Sequence, residues 1–407
     1  MNPLSQGSIR VAIACGGTGG HLFPGLAVAD QLRRRGCDVT LLVSPKEIDQ
    51  QAVAGLSELE VVALPAVGLK RGGEIAFVRG FLKSYRAAAK RFQTQRPQIA
   101  LAMGGFTSAP PILAAKRAGA ATFLHESNTI PGRANRWLSR VVTHAYVGFP
   151  TAAARLRNRR VSVTGTPVRP GFANQDAAQC RSALGLEPDR PVLLVMGGSQ
   201  GASGINELVT NSLSRLAGRW PDLQWVHLTG TSDLEPVRQA YATAQLQAMV
   251  VPFLPRMELA LGAAIAAISR AGASSLAELA AMRLPAVLVP FPAATDNHQF
   301  HNARAFEATG AARLLEQRAA TPELLEQLLG DLLAAPAVRE QIQAALAQWD
   351  APRAAEEIAS AMLATVGAAV GDGSGAACKP SPQPQTLQTD SPRKPRYAGA
   401  APAGRSA

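Results

Sequence analysis

Val11-Ala12-Ile13-Ala14-Cys15-Gly16-Gly17-Thr18-Gly19-Gly20-His21 runs from a short apolar stretch into a glycine loop. Helical spacing follows from Pro24 to Arg35 through Leu26, Val28, Ala29 and Leu32, and Gly36 stops it. Val192-Leu193-Leu194-Val195-Met196-Gly197-Gly198-Ser199-Gln200-Gly201 repeats the design roughly 180 residues later. One strand, glycine loop and helix is a common unit. Two of them predict an α/β chain with paired Rossmann-like parallel-sheet domains facing across a cleft.

The rest of the pattern agrees. Strands are predicted at Ile9 to Ala14, Val39 to Val43, Ile99 to Met103, Ala121 to Leu124 and Ala145 to Val147. A second set falls at Val192 to Met196, Gln224 to Leu228, Met249 to Val251, Ala264 to Ile268 and Ala286 to Val289. Helical stretches separate them, which is the alternation of a parallel sheet. Gly165-Thr166-Pro167-Val168-Arg169-Pro170 reads as the connector between the halves. From about Val366 the composition turns to Gly, Ala, Pro, Ser and Gln, with Lys379, Arg393, Lys394, Arg396 and Arg405 against Asp372 and Asp390. That tail is expected to be disordered.

With 407 residues and 47% hydrophobic content, the chain has room for two ordinary domains. A net charge of +12 suits an anionic partner: nucleic acid, a phosphorylated ligand or an acidic lipid surface. Cys15, Cys37, Cys180 and Cys378 form no CxxC pair, so neither a zinc site nor a disulfide framework is expected, and a reducing cytosol fits best. The apolar run before Cys15 is too short for a signal peptide. No run approaches the ~18 apolar residues of a spanning helix, the nearest being Leu259 to Ile268, so any membrane contact is expected to be peripheral.

Each motif has a chemical and a plain structural reading. The first loop is not GxGxxG, because Leu22 takes the third glycine's place, and no Gly-Lys-Ser/Thr occurs; ligand site and tight turn both stay open. His21 at its mouth faces a helix N-terminus that should keep the imidazole neutral, leaving it either a base or a partner of the loop backbone. In the second loop Ser199 adds a hydroxyl to converging N–H groups, as a diphosphate requires. Asp-x-Asp is absent and Glu187 and Asp189 read as solvated surface, so a carboxylate-held metal is not expected.

Ser275 and Glu278 have capping-box spacing, and Glu278 equally has the two oxygens that accept both hydroxyls of a ribose. Asp296-Asn297-His298-Gln299-Phe300-His301-Asn302 offers amides that donate and accept at once, suited to a sugar or to a capped polar loop. His125-Glu126-Ser127-Asn128 and Gly104-Gly105-Phe106-Thr107-Ser108 lie at strand ends, which face the crevice of a doubly wound sheet. Leu69 to Arg96 carries Lys70, Arg71, Arg79, Lys83, Arg86, Lys90, Arg91 and Arg96 against Glu74. Within it Ile75, Val78, Leu82 and Tyr85 recur at helical spacing, joined by Phe77 and Phe81. Such a segment suits an anionic bilayer interface at ~1 kcal/mol per basic residue, a nucleic-acid stripe, or a core helix with a solvated face. The nucleic-acid reading lacks an interleaved aromatic platform.

Taken in order, these motifs resemble the MurG family of bacterial UDP-N-acetylglucosamine:lipid I N-acetylglucosaminyltransferases over roughly residues 8 to 365. The resemblance implies a glycosyltransferase-B fold: an acceptor and membrane-associating domain at 8–168, a UDP-GlcNAc domain at 169–345, a helix at 346–365 returning to the first domain, and the 366–407 tail outside the pattern. It implies inverting transfer of GlcNAc from UDP-GlcNAc to the 4-hydroxyl of MurNAc-pentapeptide-diphospho-undecaprenol, lipid I, giving lipid II for peptidoglycan. No cofactor or metal is implied, since UDP-GlcNAc is itself a substrate. The implied partners are an anionic membrane surface and cell-wall synthesis proteins, not nucleic acid, with a peripheral place on the cytoplasmic face of the cell membrane. The alternative is a glycosyltransferase-B enzyme acting on another lipid or small-molecule acceptor.

Carried over by position, donor contacts fall on Thr18, Gly19, Gly20, Asn128, Arg169, Ser199, Leu254, Ala273, Ser274, Ser275, Leu276, Ala277, Glu278, Gln299 and Asn302. Glu278 would hold the ribose, Ser199 the diphosphate, the Leu254 backbone the uracil, and Gln299 with Asn302 the GlcNAc. His21 is the candidate base, with Glu126 and His125 as alternatives. Ile75, Phe77, Val78, Phe81, Leu82, Lys83 and Arg86 would meet the membrane. Ser127, Ala109 and His298 depart from the family pattern, where Gln, Gly and Gln are frequent, and they bear on local contacts.

Overall fold

Val11 and Ile13 enter one apolar cluster while Ala12 and Ala14, between and after them, enter another, so the first strand is buried on both faces. That is the situation of a parallel strand covered by helices front and back. The computed structural model describes residues 8–17, 19–45, 59–65, 73–173, 175–198 and 201–371. Among these, β1 (Arg10–Ala14), β2 (Asp38–Val43), β3 (Glu60–Ala63), β4 (Ile99–Ala102), β5 (Ala121–Glu126), β6 (His144–Val147) and β7 (Val161–Val163) form a seven-stranded sheet ordered β3-β2-β1-β4-β5-β6-β7. In the second half, β8 (Val192–Met196), β9 (Gln224–Leu228), β10 (Ala248–Val251), β11 (Ala266–Ser269), β12 (Ala286–Leu288) and β13 (Arg313–Leu314) form a six-stranded sheet ordered β10-β9-β8-β11-β12-β13. Every pairing is parallel. The two α/β units expected from the paired glycine loops are therefore present.

Three strands escaped the sequence pattern: β3, β7 and β13. Each lies at a sheet edge, is two to four residues long and stays partly exposed, so no apolar run marks it. The first helix also needs correction, since it spans Gly19–Arg34 and starts five residues before Pro24. Proline at that depth removes the N–H that would reach the Gly20 carbonyl. Gly20 is exposed, so solvent can serve that carbonyl instead.

The chain crosses between the halves twice. At the crossing point a Cβ added to Gly165, whose φ is +78°, would lie 2.2 Å from the Cβ of Ala351. Only glycine lets the outgoing and returning segments touch there. Beside them Phe306 stacks on Trp349 with ring centroids 4.5 Å apart, and Phe149 leans on Trp349 at 5.3 Å with the rings tilted 53°. The last helix spans Ala354–Gly371, beginning eight residues after the 346 read from sequence and running past the composition change at 366. Its Ala355, Ile358, Ala359 and Met362 are buried in the cluster that holds Val11, Ile13 and Leu26, so this C-terminal segment completes the first domain's core.

That docking makes a measurable prediction. Ile358→Ala should destabilise the protein by about 2–5 kcal/mol, read as a lowered urea midpoint. A change within about 0.5 kcal/mol, the range of surface sites, would mean the helix is not part of that core.

Candidate active site

Strand order reverses between β1 and β4 in the first sheet and between β8 and β11 in the second. At such switch points the loops leaving the strands' carboxyl ends diverge and open a crevice. Gly16-Gly17 leaves β1, Gly104-Gly105 follows β4, Gly197-Gly198 leaves β8 and Arg270 leaves β11. The two crevices join in one cleft of about 1510 Å³ lined from both halves.

On the first-domain wall, His21 sits in the opening turn of helix Gly19–Arg34 and lies flat against the next loop. A Cβ on Gly104 would come within 2.9 Å of its ring, and one on Gly105 within 3.2 Å. Both glycines have positive φ, +110° and +76°. Their missing side chains are thus the space His21 occupies. The Thr107 hydroxyl ties this loop to the first one, donating to the Gly16 carbonyl at 2.6 Å.

The end of β5 supplies the neighbouring groups. His125 is fully buried, and its Nε2 donates to the Gly165 carbonyl at 3.0 Å. That fixes Nδ1 as the acceptor from the Ser127 hydroxyl at 3.2 Å. Burial pushes its pKa down to about 4, against the raising effect of the Gly165 bond, and the nearby His21 adds to the lowering. With both ring nitrogens engaged and no exposure to the cleft, His125 positions the loop and is not placed for the part of alternative base read from sequence. Glu126 lines the cleft, but Oε1 accepts from Asn128 N and Nδ2, and Oε2 from Gly132 N and Asn135 Nδ2, all within 2.9–3.2 Å. Its carboxylate braces residues 128–135, which corrects its reading as an alternative base.

The second-domain wall centres on Glu278. Helix Ala273–Ala281 begins after Gly272 with no side-chain cap. Ser275 and Glu278 therefore sit inside the helix, and the capping-box reading is overturned. Glu278 is 9% exposed, lines the cleft and has no hydrogen-bond or ion-pair partner among the described residues. Burial raises its pKa to about 7, with Arg169 opposing and Glu258 adding to the rise. A buried carboxylate left without donors is a site awaiting hydroxyls. Ala273, Ser274, Ser275, Leu254, Gly19 and Gly20 also line the cleft.

Other predicted contacts move elsewhere. Leu276 is buried in the core, and Ala277 does not line the cleft. Arg169 does not line it either: its guanidinium stacks on Phe23 at 4.5 Å and faces Phe172 at 5.3 Å. Thr18 and Ser199 lie outside the described residues. Arg270 was missed as a site residue. It is 6% exposed, donates to the Val289 and Pro290 carbonyls, and faces the Phe291 ring at the cleft. Burial lowers its pKa to about 10, which leaves it cationic near neutrality. An arginine directly after a short, wholly buried strand was the available signal.

Between the walls, Gln299 turns Oε1 to the Phe291 N–H at 3.0 Å, which leaves its NH₂ for the cleft. Beside it, Nδ1 of His298 donates to the Thr295 carbonyl at 2.8 Å. Asn302 behaves differently from its sugar-binding reading. It is 0% exposed; Oδ1 accepts from Thr129 N and Oγ1 at 2.9 Å, and Nδ2 donates to Asn128 Oδ1 at 3.0 Å and the Ala271 carbonyl at 3.1 Å. The amide is saturated and pins the two domains together. Asp296 adds a bridge to Arg136 at 2.8 Å from a left-handed backbone, φ 50°, shared with Asn297.

Helix Glu74–Thr94 presents two apolar rows. Ile75, Val78 and Leu82 are exposed, at 71%, 53% and 44%. Phe77 and Phe81, read from sequence as membrane-facing with them, are half-buried and line the cleft. Lys83 and Arg86 are exposed as expected, while Lys70 and Arg71 lie outside the described residues.

The glycosyltransferase family 28 N-terminal domain matches residues 11–147, and the C-terminal domain of the same family matches residues 192–358. The chain is 35% identical over 385 residues to the UDP-N-acetylglucosamine–N-acetylmuramyl-(pentapeptide) pyrophosphoryl-undecaprenol N-acetylglucosamine transferase of Anaeromyxobacter dehalogenans, covering 92% of this chain and 98% of that one. It is 38% identical over 364 residues to the transferase of that name from Acidithiobacillus ferrooxidans, covering 88% and 98%. Among solved structures, Acinetobacter baumannii MurG superposes with a TM-score of 0.68 at 28% identity, covering 88% of this chain and 99% of that one. A calicheamicin glycosyltransferase shares the fold at a TM-score of 0.62 and 20% identity, covering 88% and 99%. With both domains matched and identity of this level over nearly the whole length, the chain belongs to the MurG family of UDP-N-acetylglucosamine–N-acetylmuramyl-(pentapeptide) pyrophosphoryl-undecaprenol N-acetylglucosamine transferases.

Proposed function

We propose that the protein transfers GlcNAc from UDP-GlcNAc to the 4-hydroxyl of the lipid-linked MurNAc-pentapeptide, lipid I, with inversion at the anomeric carbon, and so makes lipid II for the cell wall. The observation that carries this reading is the partnerless buried carboxylate of Glu278 in a cleft shared with His21. Glu278 takes the ribose hydroxyls and the Leu254 segment takes the uracil. The diphosphate lies against Gly197, Gly198 and Gly201, where helix Ser203–Arg219 points its positive end at the departing charge. Gln299 offers its NH₂ to the sugar.

Inversion in one displacement requires attacker and leaving group on opposite sides of the anomeric carbon. The two walls supply that arrangement. His21, on the wall opposite the diphosphate loop, takes the proton of the attacking hydroxyl. Closure of the cleft excludes water, which would otherwise hydrolyse the donor. The exposed row of Ile75, Val78 and Leu82, with Lys83 and Arg86, seats the enzyme on the anionic cytoplasmic face of the membrane. No described helix is long and apolar enough to cross it.

Radiolabelled UDP-GlcNAc with a short-chain lipid I analogue should give labelled disaccharide, and His21→Ala should lower kcat by about 100-fold or more. Labelling of other acceptors but not of this one would reassign the acceptor, and a loss confined to KM would make His21 a binding residue.

Because Glu278 titrates near 7, its hydroxyl-accepting form is lost as pH falls. The affinity for UDP-GlcNAc, measured by calorimetry without acceptor, should drop about tenfold per pH unit below 7. Glu278→Gln should bind weakly and show no such limb; a limb that persists in the variant would assign it to another group.

Replacing Ile75, Val78 and Leu82 together with Ser should release the protein from vesicles containing anionic lipid in a flotation assay. Undiminished flotation would move the membrane surface elsewhere.

A further inference from the structure

We infer that the aromatic arm of the cleft, formed by Phe77, Phe81, Phe106 and Trp137, binds the first isoprenoid units of the acceptor, those next to its diphosphate. The inference rests on the lipid-linked acceptor proposed above and names a part of that substrate which the sugar-handling residues leave without a place.

These four aromatic residues line the same cleft as His21 and Glu278. Trp137 stays 43% exposed and Phe77 and Phe81 are half-buried; Phe81 packs in part on the first-domain core, and the rest of this apolar surface faces the cavity. Apolar surface left open in a binding cleft gains most from an apolar ligand. The arm has a direction. It starts at Phe106, directly after the Gly105 that packs on the His21 ring, and reaches the helix Glu74–Thr94 at Phe77 and Phe81, whose centroids are 6.3 Å apart.

On that helix, Ile75, Val78 and Leu82 form the exposed row. At about 100° per residue the two rows lie roughly a third of a turn apart. A chain leaving the cleft over Phe77 and Phe81 therefore meets the exposed row within one helix width. Arg133, also on the cleft and with its side chain 73% exposed, supplies a cation where the acceptor's diphosphate would pass between sugar and lipid. Reacting sugar, diphosphate, isoprenoid and bilayer would thus be served by His21, Arg133, the aromatic arm and the exposed row in turn.

The test compares two lipid I analogues below their micelle-forming concentrations in detergent-free buffer, one with a two-isoprene chain and one with ethyl in its place. Wild type should show a KM at least about tenfold lower for the prenyl acceptor. Phe77→Ala with Phe81→Ala should raise that KM to the ethyl value, leave the ethyl KM within about twofold and leave kcat little changed in a folded variant. Equal KM values in wild type, or equal rises for both acceptors in a folded variant, would overturn the inference.

Should the double variant not fold, a diazirine on the second isoprene unit, photolysed with wild type, should label Phe77, Phe81, Phe106 or Trp137 in mass spectrometry. Label confined to the exposed row, or to peptides of the second domain, would overturn it. Turnover of neither acceptor by wild type would instead overturn the lipid-linked reaction, and the isoprenoid occupant with it.

Discussion

Asn302 holds the two halves of this enzyme in one arrangement. Its amide makes four hydrogen bonds without contact with solvent, two to Thr129, one to Asn128 and one to the Ala271 carbonyl. Hydrogen bonds of this kind are directional, and each group left unmade in a buried place costs about 1–3 kcal/mol. Few relative placements of the domains satisfy all four. The constraint then spreads: Asn128 donates to Glu126, and Glu126 also holds Gly132 and Asn135, whose amide reaches the His125 carbonyl. One second-domain side chain thereby sets the shape of the first-domain wall.

The central architecture was legible because it depends on local signals. Strands such as β1 from Val11 on and β8 are apolar and lead into glycine loops, and both loops adjoin the switch points where the topology places a site. What stayed hidden depends on contacts between distant residues. Asn302 reads as a sugar ligand until its partners 173 and 174 residues away are known. Glu126 reads as a free base until four donors surround it. The capping box at Ser275 failed for a local reason, since Gly272 starts the helix first. The amphipathic pattern at 75–82 showed that apolar residues recur, but a helix between solvent and cleft has two apolar directions, and periodicity cannot assign Phe77 to one or the other.

The site keeps charge in places that cost free energy when empty. Glu278 is buried with no donor among the described residues, and Arg270 is buried with its guanidinium bonded to carbonyl oxygens beside a ring face. Asp296 and Asn297 hold consecutive left-handed backbones at the cleft edge, a conformation their short polar side chains tolerate better than most. These unfavourable features coincide with the residues facing the cleft, as expected where a ligand's hydroxyls and anionic groups supply the missing partners.

His125 joins this local order to the crossing between the domains. Its Nε2 is committed to the carbonyl of Gly165, and Gly165 is the point where the outgoing chain touches the returning Ala351. Rotation of one domain about that crossing must either carry His125 along or break a buried hydrogen bond. His125 and Glu126 are successive residues of β5, so the carboxylate that braces the 128–135 loop moves with the same backbone. The crossing at Gly165 and the 128–135 wall are therefore joined through one strand. Rotation about that crossing would disturb Asn302's bonds at one end and the His125–Gly165 bond at the other, so both sets of bonds belong to one arrangement of the two walls.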